Sequence, residues 1–184
     1  MLRQHVVETQ WTVSLLELAP ADRVLEIGCG AGRAVELIAQ RVPDGHVTGV
    51  DLSRQMVRAA VRRNARAIKA GRATVRQGDV MGLPFADRQF DKILSIHSLY
   101  FWPDHQRAMA ELARVLKPGG RLALTFSTGK VGATDAGYRG SVEDRILPSM
   151  KQAGFTAASI VEGPVSRRFK IVAVVGVASK RRRS

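Results

Sequence analysis

Short β-branched runs alternate along the chain with longer stretches of helical period, the pattern of an α/β protein built on a largely parallel sheet. A first helix is predicted from Arg3 to Leu18, stopping before Pro20, and Arg23-Val24-Leu25-Glu26-Ile27 reads as a strand entering a glycine loop. Ala34 to Val42 has the apolar spacing of a helix. Pro43-Asp44-Gly45 is a turn, and His46 to Val50 is a second strand ending at Asp51. Ser53 is placed to cap an arginine-rich helix.

The second half continues the alternation. Ala73 to Gln77 and Phe90 to Ile96 are predicted strands, separated by a loop over Leu83 to Gln89. Pro103-Asp104 opens a helix that puts Met109, Leu112, Val115 and Leu116 on one face, closed by Pro118-Gly119-Gly120 before a strand from Arg121 to Phe126. A Gly-rich stretch from Gly129 to Gly140 reads as mobile. It is followed by a helix near Val142 to Gln152 and by strands around Ala157 to Val161 and Phe169 to Val177. With no internal repeat and no second-domain boundary, residues 1–179 form one folding unit of about seven strands, and 180–184 are a basic, disordered tail.

Composition narrows the class. The chain has 184 residues, 45% hydrophobic and 24% charged, which suits one globular domain and excludes a disordered chain. No apolar run approaches the ~20 residues that span a bilayer, and the start lacks a signal-peptide pattern, so a soluble, cytoplasmic protein is expected. The single cysteine, Cys29, excludes an internal disulfide and a thiolate metal site, and no metal is expected. The unusual quantity is a formal net charge of +13. Part of it lies in Lys180 to Arg183. Another part lies in Arg54, Arg58, Arg62 and Arg66, spaced every fourth residue and so expected along one helix face. Both features read either as solvated surface or as anion-binding surface.

The chemistry concentrates in Val24-Leu25-Glu26-Ile27-Gly28-Cys29-Gly30-Ala31-Gly32, a strand followed at once by alternate glycines and a helix. Such a loop lets a ligand approach the main chain, and the helix start is expected to aim free N–H groups into that space. A dinucleotide site would want glycine or alanine where Arg33 stands, and Glu26 would set a carboxylate beside a pyrophosphate. Both features favour a cationic ligand over NAD. Asp51 can accept from two ribose hydroxyls, with Leu52 packing on an adenine. Asp79 can accept from the adenine amine while Val80 covers the ring, and Met56 adds an apolar wall.

These residues resemble the class I S-adenosylmethionine-dependent methyltransferases, specifically the compact small-molecule branch that includes ubiquinone and menaquinone biosynthesis enzymes. The resemblance rests on Val24 to Gly32, Gly49-Val50-Asp51-Leu52-Ser53, Gly78-Asp79-Val80 with Leu83-Pro84-Phe85, Phe90-Asp91, and Arg114 to Gly120, which cover most of the chain in order. It implies a Rossmann-like doubly wound sheet of seven strands ordered 3-2-1-4-5-7-6, the last antiparallel, with S-adenosyl-L-methionine across the carboxyl ends of the first four. The implied cofactor-binding residues are Glu26, Gly28, Cys29, Gly30, Gly32, Asp51, Leu52, Met56, Asp79, Val80 and Ser95. Asp91 and Pro118-Gly119-Gly120 are implied to be structural.

The segment Ser95 to Trp102 is where this family exposes residues to the methionine end of the cofactor and to the acceptor. His97 is the candidate general base for a hydroxyl or amine, the alternative being a histidine that only hydrogen-bonds at a strand end. Tyr100, Phe101 and Trp102 read as acceptor-side residues or as core. His5 and Trp11 read as a lid or as surface and packing residues. The segment lacks the Asn-Pro-Pro-Tyr signature of amino-methylating DNA and protein-glutamine enzymes, and Cys29 alone does not serve arsenic chemistry. The short insertion after the fifth strand leaves the pocket open or completed by a partner, and nothing in the sequence selects an oligomeric state. The expected activity is methyl transfer to an O, N or C atom of a small organic acceptor. The alternatives are an RNA methyltransferase using the basic surface, a non-catalytic binding protein of the same fold, and an NAD oxidoreductase.

Overall fold

In chain order the strands are β1 (Arg23–Ile27), β2 (His46–Asp51), β3 (Ala73–Gln77), β4 (Phe90–Ile96), β5 (Leu116–Lys130), β6 (Phe155–Ser166) and β7 (Phe169–Ala178). The helices are α1 (Val6–Leu15), α2 (Arg33–Arg41), α3 (Arg54–Arg63), α4 (Ala65–Lys69), α5 (His105–Val115) and α6 (Leu147–Ala153). The structure is a computed structural model that describes residues 6–130 and 142–180. The strands form one seven-stranded sheet, ordered β3-β2-β1-β4-β5-β7-β6. β1 pairs in parallel with both β2 and β4, while β7 runs antiparallel to β5 and β6. The expected order and the antiparallel last strand are therefore present.

The central strand explains the layering. All of Val24, Leu25, Glu26 and Ile27 are buried, and alternate side chains serve opposite faces. Leu25 and Ile27 join Phe90, Ile93, Met109 and Leu112 beneath α5. Val24 joins Val13, Leu16, Val35, Ile38 and Ala60 beneath α1, α2 and α3. Chain order reverses between β1 and β4, so the crevice above their carboxyl ends is the natural ligand position in a sheet of this kind.

Several boundaries differ from the sequence expectation. The arginine-rich helix breaks at Asn64, where α3 ends and α4 begins, so Arg66 does not continue one helix face with Arg54, Arg58 and Arg62. The cause is the Asn64 side chain: its Nδ2 group is buried and donates to the carbonyls of Gly32 and Ala60, each at 2.9 Å. Pro118-Gly119-Gly120 does not separate a helix from a strand. α5 ends at Val115 and β5 starts at Leu116, so the three residues form an irregularity inside the strand, between the Phe90–Leu116 and Lys92–Arg121 pairings. The helix expected near 142–152 begins as a π turn over Val142–Ile146 before α6. β6 starts at Phe155 and reaches Ser166, longer than its apolar run, because it is an edge strand whose pairing with β7 is interrupted twice. The start of the first predicted helix, His5, the Gly-rich stretch beyond Lys130 and the tail beyond Lys180 lie outside the described residues.

Gly32 shows how tightly the first loop is held. It caps α2 at φ 76°, and an added Cβ would meet Asn64 Nδ2 at 2.5 Å and Ala60 Cβ at 2.8 Å. Gly32→Ala therefore combines a left-handed alanine with overpacking, and should destabilise the protein by about 2–4 kcal/mol in urea unfolding. A loss below about 1 kcal/mol would mean that α3 is free to move away.

Candidate cofactor and acceptor site

The carboxyl end of β2 organises the glycine loop. The Val50 carbonyl accepts from the N–H groups of Gly28 (2.8 Å) and Cys29 (3.0 Å), and Gly30 N–H donates to Asp51 Oδ2 (2.8 Å). Gly32 N–H turns back to the Cys29 carbonyl (2.8 Å). In the first turn of α2, Val35 N–H donates to the buried Glu26 carboxylate. The loop amides named here are thus occupied within the protein. These amides are therefore not offered to the ligand space, and of the donors expected at the helix start Val35 is turned inward to Glu26.

Above the loop lies a cavity of about 650 Å³. Across the sheet its wall runs from Gly78, Asp79 and Val80 after β3, through Asp51, Leu52 and Ser53 after β2 and Gly28 after β1, to His97 and Ser98 after β4. Phe101, Trp102 and Pro103 complete one side. Among the described residues the wall contains two carboxylates and no lysine or arginine. Asp51 Oδ1 also accepts from Ser53 N–H (2.9 Å), yet each of its oxygens keeps lone-pair capacity for a further donor. Asp79 is exposed and accepts from Met81 N–H (2.9 Å). Leu52 is 68% exposed, an apolar side chain turned to the opening.

Of the residues anticipated for cofactor binding, Gly28, Asp51, Leu52, Asp79 and Val80 line this cavity, and His97 lines it as well. Glu26, Cys29, Gly30, Gly32, Met56 and Ser95 are not among the residues that line it. Cys29 packs in the core beneath the loop, and burial pushes its thiol up. Met56 is engaged through its N–H, which donates to the capping hydroxyl of Ser53 (3.4 Å). Ser95 is buried and shares a hydrogen bond with Ser98 Oγ (2.5 Å). Ser98 was not singled out by sequence reasoning, although it dictates the loop glycine: a Cβ on Gly28, at φ 69°, would meet Ser98 Cβ at 2.4 Å. The usable signal was its position two residues past a strand end that faces a glycine.

The aromatic run after β4 divides. Trp102 is buried, Phe101 is 81% exposed at the cavity rim, and Tyr100 is clamped to β5. The Tyr100 hydroxyl donates to the Ser127 carbonyl (3.1 Å) and accepts from Ser127 N–H (2.6 Å), while its ring stacks on His97 at 6.5 Å between centroids. His97 itself adopts φ 55°, uncommon for a non-glycine residue, and its N–H donates to the Thr125 carbonyl (2.8 Å). Trp11 forms no lid. Its ring lies against Gly163 of β6, where an added Cβ would approach it to 2.6 Å.

Comparison with known proteins agrees with this geometry. The chain belongs to the class I S-adenosylmethionine-dependent methyltransferases, the methyltransferase domain family matching residues 25–124. It is 28% identical over 155 residues to the uncharacterized methyltransferase YdaC of Bacillus subtilis, covering 84% of this chain and 83% of that one. It is 33% identical over 120 residues to the demethylmenaquinone methyltransferase of Listeria welshimeri, covering 65% of this chain and half (50%) of that one. Among solved structures, Haemonchus contortus phosphoethanolamine N-methyltransferase 2 in complex with S-adenosyl-L-methionine superposes with a TM-score of 0.76 at 18% identity. That match covers 94% of this chain and 52% of the other. Apart from YdaC, the chain spans about half the length or less of curated relatives that it matches, among them an O-methyltransferase of Penicillium expansum (40%) and GfsG of Streptomyces halstedii (48%). Among the described residues no group of metal-ligating side chains is present, and no helix is long and apolar enough to cross a membrane.

Glu26 gives the site a pH signature. Burial, reinforced by the charge of Asp51 and opposed by the Val35 hydrogen bond, pushes its carboxyl from 4.5 up to about 8. Between these values the folded state holds a proton that the unfolded chain has released. Stability therefore falls as pH rises through that window and levels off above it. Urea unfolding of the ligand-free protein between about pH 5 and pH 8.5 should show this decline, and Glu26→Gln should flatten it. An equal slope in the variant would assign it to other groups.

Proposed function

We propose that this chain is an S-adenosyl-L-methionine-dependent methyltransferase acting on an O, N or C atom of a small organic acceptor. The observation that carries the reading is the sign of the cavity: in a protein of net charge +13, its wall holds Asp51 and Asp79 and, among the described residues, no cation. A sulfonium and an ammonium suit that wall, and a pyrophosphate does not.

The residues fit the cofactor in order across the sheet. Asp51 accepts from the ribose hydroxyls and Asp79 from the adenine amine, with Leu52 and Val80 on the two sides of the ring. Gly28, His97 and Ser98, at the β1 and β4 side of the cavity, would then hold the reacting end. When bound, the cofactor supplies a methyl group that an acceptor lone pair takes in line, the S–C bonding pair returning to sulfur. Protein side chains then need chiefly to orient the acceptor and exclude water. His97 is held by its own backbone bond to β5 and by the stacked Tyr100 ring. It takes the proton from a hydroxyl or amine acceptor, and Phe101 offers an apolar face to the rest of that molecule.

Calorimetric titration with S-adenosylmethionine and S-adenosylhomocysteine tests the cofactor role. Saturable binding is expected, weakened at least about tenfold in Asp51→Ala by loss of charged hydrogen bonds. His97→Ala should bind both ligands as the wild type does while losing about 10²-fold or more in turnover with a hydroxyl acceptor. No binding by folded protein would overturn the enzymatic reading in favour of a non-catalytic protein of the same fold.

A further inference from the structure

One flank of the molecule carries positive charge that the described structure leaves uncompensated. From Leu52 to Gly78 the chain contains no aspartate or glutamate. Two of the cations in this segment are committed to the fold. Arg63 donates to the Ala31 carbonyl (2.9 Å) and to Glu36 (3.2 Å), and Arg72 donates to the Ala39 carbonyl (2.9 Å). The others, Arg54, Arg58, Arg62, Arg66, Lys69 and Arg76, are exposed. Arg54 donates to the neutral amide of Gln77 (3.1 Å), and Arg76 lies over the Phe85 ring at 5.4 Å. Among the described residues, the side chains of Arg58, Arg62, Arg66 and Lys69 take part in no hydrogen bond or ion pair.

An ordinary solvated helix face mixes signs, since opposite charges four residues apart support a helix and like charges weaken it. α3 instead sets Arg54, Arg58 and Arg62 in like-charged succession, spaced by roughly 6 Å along the axis. α4 widens the same flank with Arg66 and Lys69, whereas Arg76 leaves β3 on the opposite face of the sheet, over Phe85, and lies apart from it. The preference for arginine favours phosphate, which a guanidinium grips with two parallel hydrogen bonds.

We propose that this flank, formed by α3 and α4, binds the phosphate backbone of double-stranded RNA. Single strands are held largely by stacking on aromatic side chains, and the segment from Leu52 to Gly78 contains none. Reading B-form DNA in its major groove calls for a protruding helix, whereas α3 is packed against β2, β3 and α2 and presents only its outer side. A broad basic face of this kind suits A-form RNA, which is recognised by shape and backbone contacts. A membrane surface would need an apolar helix face turned outward, and that of α3 is packed against the sheet. The flank is separate from the acidic cavity but starts at its rim, because Leu52 and Ser53 line the cavity immediately before Arg54. The inference does not rest on methyl transfer.

Fluorescence anisotropy of the full chain with a labelled RNA duplex of about 20 base pairs tests the proposal. Affinity should fall about 10²-fold or more between about 50 and 200 mM salt, as expected for about five released counterions. The combined reversal Arg58→Glu, Arg62→Glu and Arg66→Glu should weaken binding about 30-fold or more, with melting temperature and S-adenosylhomocysteine titration unchanged. If the reversal lowers the melting temperature, the pair Arg58→Gln and Arg62→Gln carries the same reading at smaller amplitude. Reversing Arg181, Arg182 and Arg183 should cost less than reversing the flank. No saturable binding at low salt, or full binding by the flank variant, would overturn the proposal. So would equal affinity for the corresponding DNA duplex or single strand, or tighter binding to phosphatidylserine vesicles than to RNA.

Discussion

Everything at the ligand end of this protein depends on how the carboxyl end of β2 grips the loop that follows β1. The Val50 carbonyl holds two loop amides and the Asp51 carboxylate holds a third, so the loop takes its shape from a neighbouring strand. Glu26 secures the same loop from below through Val35 at the start of α2. Consequently Asp51 has two duties: it fixes Gly30, and it turns its remaining acceptor capacity toward the cavity. A loop whose amides are satisfied internally is rigid and offers little to an anion, which leaves recognition to carboxylates.

The charge distribution then makes sense as two territories. Among the described residues the charged groups inside the cavity are Asp51 and Asp79; outside, α3 and α4 bear cations with no acidic residue in their sequence. A protein with so large a net charge would draw polyanions to its surface over distances of about a Debye length. The acidic lining keeps them out of the crevice. Separate binding of a cationic small molecule and a phosphate backbone is therefore compatible within one sheet.

Much of this was legible in the sequence because the strands are short, β-rich and bounded by turn residues. β1, β3 and β4 have the boundaries that their apolar runs suggest, and Ser53 and Asp104 cap α3 and α5 as their residue types require. Asp51, Leu52, Asp79 and Val80 could be placed at the site because residues just beyond parallel strand ends have few other places to go. What stayed hidden depends on contacts between distant segments. Asn64 breaks the arginine helix by bonding to Gly32, and Ser98 fixes Gly28. Trp11 lies on Gly163, and Phe101 separates from Trp102. Local periodicity carries no information about such pairs, and the internal bonding of the loop amides was invisible for the same reason.

The most direct test is a crystal structure with S-adenosylhomocysteine bound. The account predicts the ribose against Asp51, the adenine between Leu52 and Val80 with its amine toward Asp79, and the Gly28 and Cys29 amides still on the Val50 carbonyl. A ligand seated elsewhere, or a loop that releases Val50 to turn its amides onto the ligand, would contradict it.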